Sequence, residues 1–334
     1  MRKKSVSVIR NWQLLRWRGK AAEADLSGEN FVTVGKKAFS RKRWLEEVRF
    51  PAGLSALKTS AFSHSRRLSA VTLPEANSVG LSAGVFEGCS RLHQVENSAL
   101  LTVVGRQAFS GCSQLDSIVF GRELRRIGEH AFRNCRALTA LTVPSCTEQI
   151  GAGAFAGCWE LAQLELEDGL AALAPGMFRD CISLKVVTIP SSVRELPPQV
   201  FRGCSALTAP TIPGTVRRIG SSAFRGCRRL ESVTLELGTA EIGAFAFAGD
   251  PLLRSVVIPH SLKKLGFGAF GLGHAKDKIV LSVDNEYMLR RLRRQLILCG
   301  SAGRAVVCMN GKTLAERKRE RHRSTLEQTA SHIS

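Results

Sequence analysis

The chain has 334 residues, 44% hydrophobic and only 6% aromatic, with a formal net charge of +20. No apolar run reaches the roughly 18–20 residues of a membrane-spanning helix, which excludes a helical integral membrane protein and leaves a body expected to be soluble. The charge is concentrated at the ends: residues 1–50 hold thirteen basic and five acidic groups, residues 286–334 hold eleven and four, and the 51–285 body carries about +5.

Residues 1–30 carry Arg2, Lys3, Lys4, Arg10, Arg16, Arg18 and Lys20, with no acidic residue before Glu23. Two readings stand: a cap whose Val8, Trp12 and Leu15 cover the first rung of the repeat array that begins at residue 31, or a basic targeting arm. Arg and Gln interrupt the apolar residues too often for a secretory h-region.

From residue 31 to 283 the chain repeats itself. Phe39, Phe62, Phe86, Phe109, Phe132, Phe155, Phe178, Phe201, Phe224, Phe247 and Phe270 are spaced by 23 residues, with one step of 24 between Phe62 and Phe86. Five positions before the Phe stands an Ile or Leu (Ile127, Leu196, Ile219); six after it a Leu (Leu68, Leu138, Leu230). Pairs such as Val187/Ile189 and Val233/Leu235, nine and eleven after it, alternate as a short half-buried strand does. Pro twelve after it, as at Pro144 and Pro213, stops that strand. The segment through the Phe, as in GSSAFRGC, suits one short helical or 3₁₀ turn closed by glycine. No 23-residue unit buries its own apolar face, so neighbours must stack, with every Phe in one ladder and the strands in one parallel sheet.

The pattern Ile-Gly-x-x-Ala-Phe-x-Gly-Cys-x-x-Leu-x-x-Val-x-Leu, as it stands at 219–235, resembles the BspA-like leucine-rich repeat family. That resemblance implies an α/β repeat solenoid: a curved leucine-rich-repeat array with parallel β-strands, short helical turns and a helical terminal cap. It also implies a surface for protein binding or adhesion, often at cell surfaces. Fold alone does not fix function.

Irregularities locate the ends and one interior feature. Ser40-Arg41 and Ser63-His64-Ser65 replace the Gly and Cys of the first two repeats, as expected of terminal rungs. Asn97 takes an inward strand position. Pro190, Pro197, Pro198, Pro210 and Pro213 crowd one region, and Pro210 removes a strand donor, which is either a kink shaping a surface or a tolerated defect. Gly266-x-Gly268-x-x-Gly271 matches a dinucleotide fingerprint only because the period generates such strings, as GAGAFAG at 151–157 shows. Residues 284–334 are expected to give a capping helix over 286–299, with Leu289, Leu292, Leu296 and Cys299 on one stripe, then a basic tail whose KRERHR is a solvated run or a nucleic-acid patch.

Seven of ten Cys stand three after the Phe, from Cys89 to Cys227. A metal needs convergent ligands, whereas these fall on a line, so buried free thiols are expected, without disulfides. The seven His follow no metal spacing and no nucleophile sits beside a base, so neither enzyme nor cofactor is expected. The expected function is a non-enzymatic protein-interaction scaffold in the cytoplasm, with mitochondrial, nuclear and cell-surface locations as alternatives. Two alternatives to that function stand: a nucleic-acid or ribonucleoprotein factor acting through the basic termini, and a cell-surface adhesin. Strand parity turns the residues ten after the Phe outward, onto what is expected to be a concave sheet, so Thr72, Thr142, Thr188, Thr211 and Thr234 are the candidate partner-binding residues. The alternative is a basic patch at Arg125, Arg126, Arg217 and Arg218, assigned to convex and turn positions.

Overall fold

The computed structural model describes residues 8–9, 22–271, 278–283, 285–309 and short stretches at 312–313, 315–316 and 319–320. Each repeat forms one coil of a parallel-strand β-solenoid. The strand expected eight to eleven residues after each Phe is present in most coils: Glu47–Arg49, Ala70–Thr72, Gln94–Glu96, Ala140–Val143, Gln163–Leu166, Thr211–Ile212, Ser232–Leu235 and Ser255–Val257. Neighbours pair in parallel and in register, with Ala140 opposite Gln163 and Thr142 opposite Glu165. Inward residues such as Leu141, Val233 and Val256 are buried while those between them face out.

A second column of strands lies six and five residues before the Phe, including Arg126–Ile127, Gln149–Ile150, Glu195–Leu196, Arg218–Ile219 and Glu241–Ile242, again paired in parallel. Only the inward Ile or Leu of this pair is legible in the sequence. Two residues cannot display an alternation, so the strand leaves no pattern of its own.

The short helical turn expected through the Phe is not what forms. Two positions flank the Phe with positive φ in coil after coil, for example His130 and Asn134 around Phe132, and Gly153 and Gly157 around Phe155. Left-handed residues so placed prevent a continuous helical turn. They aim alternate N–H groups along the stack instead: Gly153, Phe155 and Gly157 donate to Pro175, Met177 and Arg179 of the next coil at 2.8–3.0 Å. The intervening Ala156 and Cys158 close turns within the coil, onto Gly153 and Phe155. The Phe segment is thus a third hydrogen-bonded ladder built of turns.

Inside it the eleven Phe rings stack face to face at 4.8–5.8 Å, and all eleven are buried. Such offset stacks add about 0.5–1.5 kcal/mol each beyond burial. Beside the rings run the cysteines, each Sγ donating to the Phe carbonyl of the preceding coil, as Cys158 does to Phe132 at 3.4 Å and Cys227 to Phe201 at 3.3 Å. Ser65 does the same to Phe39 at 2.6 Å. Burial pushes the Cys89 and Cys158 thiols up to about 12. The Gly that follows the inward Ile has a separate reason: a Cβ on Gly151 would overlap the Glu129 backbone, and one on Gly243 would lie 2.6 Å from Ser221 N.

Asn97 has φ 58° and donates through Nδ2 to Leu73 O at 2.8 Å, diverting its coil into a 3₁₀ turn over Ser98–Leu100. Pro210 leaves its strand only two residues long, beginning at Thr211. The coil around Phe178 is the most irregular: neither 172–173 nor 186–189 forms a strand, and its ring lies 5.8 Å from each neighbour.

At the C-terminal side α1, Glu286–Leu298, is capped by the Asn285 side chain, which accepts from Met288 N at 2.8 Å. It buries Met288, Leu289, Leu292 and Leu296 against the Lys264–Leu265, Ile279–Val283 and Ala305–Met309 strands. Ala305–Met309 pairs in parallel with Ile279–Val283, the strand that follows the last repeat Phe, and Lys312–Thr313 pairs antiparallel with it in turn, so the sheet runs past the repeats. At the other end Val8–Ile9 pairs with Thr33–Val34 and Glu23–Asp25 with Glu47–Arg49. Trp12, Leu15 and most of the basic tail lie outside the described residues.

Candidate partner-binding surface

The outward positions of the first strand column form one side of the stack. Thr142, Thr188, Thr211 and Thr234 are exposed and Thr72 is half-buried. Thr211 and Thr234 are direct cross-strand partners. Thr188 lies in the strandless 186–189 stretch, one coil earlier, and Thr142 lies beyond it with Glu165 between. Thr72 is three coils further along and does not join the others. The glutamates of this column are held by its threonines: Thr142 Oγ1 donates to Glu165 at 3.1 Å and Thr72 Oγ1 to Glu96 at 2.6 Å. The face is therefore less neutral than its threonines imply.

Its centre is a shallow depression of about 320 Å³, lined by Ala140, Thr142, Ala162, Glu165, Val186 and Thr188. Small side chains form its floor, and Val186 stands beside them 69% exposed. Val119 and Val257 continue the apolar exposure along the same column.

The four arginines of the alternative patch are not on turns. Arg126 and Arg218 are strand residues of the second column, with Arg125 and Arg217 immediately before them. Four coil steps separate the two pairs, so they do not form one patch. The charge of two of them is also compensated: Arg218 lies 3.8 Å from Glu195 and 3.4 Å from Glu241, and Arg125 lies 3.9 Å from Glu148. Exposed pairs of this kind contribute little stability, but they lower the net field that an acidic partner would meet.

No group of three or more His, Cys, Asp or Glu converges as a metal site among the described residues. No helix among them is long and apolar enough to cross a membrane. A feature not foreseen from the sequence is a larger cleft of about 750 Å³ on the Phe-turn edge, around Gly153 and Gly176. Its signal lies in Gly153 and Gly176, two before the Phe of consecutive coils, where the flanking coils carry His130 and Gln199.

Stacked coils with a repeated inward set and variable outward columns define a repeat solenoid whose surface, not its interior, differs from coil to coil. Within that class the chain belongs to the BspA type leucine rich repeat family, whose profile matches residues 23–139, 79–208 and 195–288. Among solved structures, a leucine-rich repeat protein from Bacteroides ovatus is similar at 19% identity and a TM-score of 0.54, covering 86% of this chain and 91% of that one. A leucine rich cell surface protein from Faecalibacterium prausnitzii matches at 19% identity and 0.48, with 88% and 89% covered. The pneumococcal vaccine antigen PcpA matches at 14% and 0.46, with 86% and 89% covered. No curated protein matches the chain.

Proposed function

We propose that the chain is a non-enzymatic scaffold that binds a protein partner on the outward face of its first strand column, centred on Thr142 and Thr188. The observation that carries this reading is the depression there: small residues in contiguous coils, with an exposed Val186 at the edge and hydrogen-bonded Thr–Glu pairs around it. Such a floor lets another backbone approach closely and offers apolar area at the centre with polar groups at the rim, the arrangement interfaces use. In this reading α1 and the Ala305–Met309 strand close the C-terminal end of the stack.

Replacing Thr142, Thr188, Thr211 and Thr234 by Arg is expected to abolish capture of the partner from the native cell while leaving the melting temperature near wild type. Retained capture would overturn the assignment of the face, and loss only on Arg125, Arg126, Arg217 and Arg218→Glu would move the site to the second column. The thiol ladder supports a reducing, cytoplasmic location. Disulfides between coils, found by mass spectrometry in protein from its native source, would overturn that location.

A further inference from the structure

The cleft on the Phe-turn edge lies apart from the strand face and has its own construction. Two positions before each Phe the chain adopts positive φ, and this column reads Gln107, His130, Gly153, Gly176, Gln199 and Ser222. Two consecutive glycines leave two coils without side chains of their own; the His130 ring leans over Gly153, 2.5 Å from where its Cβ would stand, so the open stretch runs from Gly153 past Gly176 to Gln199. Coil spacing at the adjacent rings is 5.8 Å, so the open stretch is roughly 12 Å long, about the length of three to four extended residues.

Its lining is of two kinds. Trp159 and Ile182, on adjacent coils, are 41% and 43% exposed at a position that is Ser or Arg in the coils on either side. The column one after the Phe contributes Arg133 and Arg179 to the same lining. Arg179 is 3.1 Å from Asp180, whereas Arg133 has no ion pair among the described residues. Arg136 adds a further cation at the rim, its guanidinium 4.0 Å from the centre of the Trp159 ring. A groove of this length with two apolar platforms and a net positive charge in and around its lining suits an extended acidic segment.

We infer that the cleft binds a short extended peptide segment of a protein, with acidic side chains toward Arg133 and an apolar side chain against Trp159 and Ile182. Arg presents a forked donor suited to carboxylates, and a partly exposed Trp supplies contact area at low entropic cost. The site is separate from the strand face, so it offers either a second partner or a second contact with the same one.

The test is fluorescence anisotropy on the full chain, with labelled peptides about four residues long that alternate glutamate with leucine, isoleucine or phenylalanine. Saturable binding is expected, weaker by about tenfold or more for the glutamine counterparts. Gly176→Gln fills the gap with the residue that occupies Gln107 and Gln199 in the same left-handed conformation, and a Cβ there meets only Arg179 Cβ at 3.9 Å. It is expected to weaken binding by about tenfold or more without unfolding the chain. Arg133→Glu, an exposed change, is expected to do the same and serves if the glycine variant fails to fold. Thr142→Arg and Thr188→Arg on the strand face are expected to leave this binding unchanged, so either surface can fail alone. No saturable binding of the acidic peptides, binding insensitive to both cleft variants, or tighter binding of a labelled oligothymidylate would each overturn the inference.

Discussion

At the scale of single residues, the column three after the Phe shows what a buried position in a stack demands. Seven cysteines and Ser65 meet it with a donor aimed at the Phe carbonyl of the preceding coil. Asp250 occupies the same position after Phe247 and is buried, yet neither carboxylate oxygen completes a hydrogen bond. Burial pushes its carboxyl up to about 8 from the ordinary 3.8, and the nearby Cys227 and Gly226 amides and Arg304 charge do not offset that. The folded chain therefore holds this proton between about pH 4 and 8 while the unfolded chain releases it. Stability is lost as pH rises through that window, at up to about 1.4 kcal/mol per unit. Asp250→Cys supplies a neutral donor of the kind the other coils use. It is expected to raise the denaturation midpoint at pH 8 by several kcal/mol equivalent, and by far less at pH 4. Equal gains at both pH values in urea titrations would show that Asp250 is not the titrating group.

At the scale of elements, the sequence is legible in part. The Phe period, the inward Leu and the nine/eleven alternation specify the stack, its register and one strand column, because each is a repeated burial demand on a large side chain. The second strand column is hidden, since Arg126, Gln149, Glu195 and Arg218 share its outward place and only one residue per strand points in. The turn ladder is hidden for another reason: its left-handed positions accept Lys37, Ser60, Gln107, His130 and even Phe245, so no residue type marks them. The threonine column is legible from parity, but the gap at 186–189 and the cleft at Gly153 and Gly176 are not, because both arise from what neighbouring coils lack. The Gly after the inward Ile has a sharper consequence. A Cβ on Gly151 overlaps the backbone of Glu129 in the preceding coil, where nothing flexible can yield. Gly151→Ala is expected to cost about 1–3 kcal/mol by chemical denaturation, although Ala is the better residue in most contexts. A neutral result would mean that coils at this point slide apart freely.

For the whole molecule, stability is a chain of nearest-neighbour terms, so the weakest coil interface decides how the array opens. Phe155 is stacked on both sides, whereas Phe39 has a ladder neighbour on one side only, although it is equally buried. Phe155→Ala is expected to cost roughly 3–5 kcal/mol and Phe39→Ala less, by the missing stack, in denaturant melts. The Phe178 coil is where the terms are thinnest. It has no strand in either column, and the amides of 186–189 donate no backbone hydrogen bond, whereas Ser232–Leu235 is paired on both sides. Its ring contacts of 5.8 Å on each side are also the longest in the ladder. Both proposed binding surfaces adjoin this coil, so a partner seated on either would bridge the interface that opens most readily. Native-state hydrogen exchange is expected to show 186–189 exchanging about a hundredfold or more faster than 232–235. With rising urea, the coils before Phe178 and those after it are expected to follow two separate opening curves. A single shared curve for both blocks would mean that the turn ladder and the Phe stack alone carry full coupling across the strandless coil.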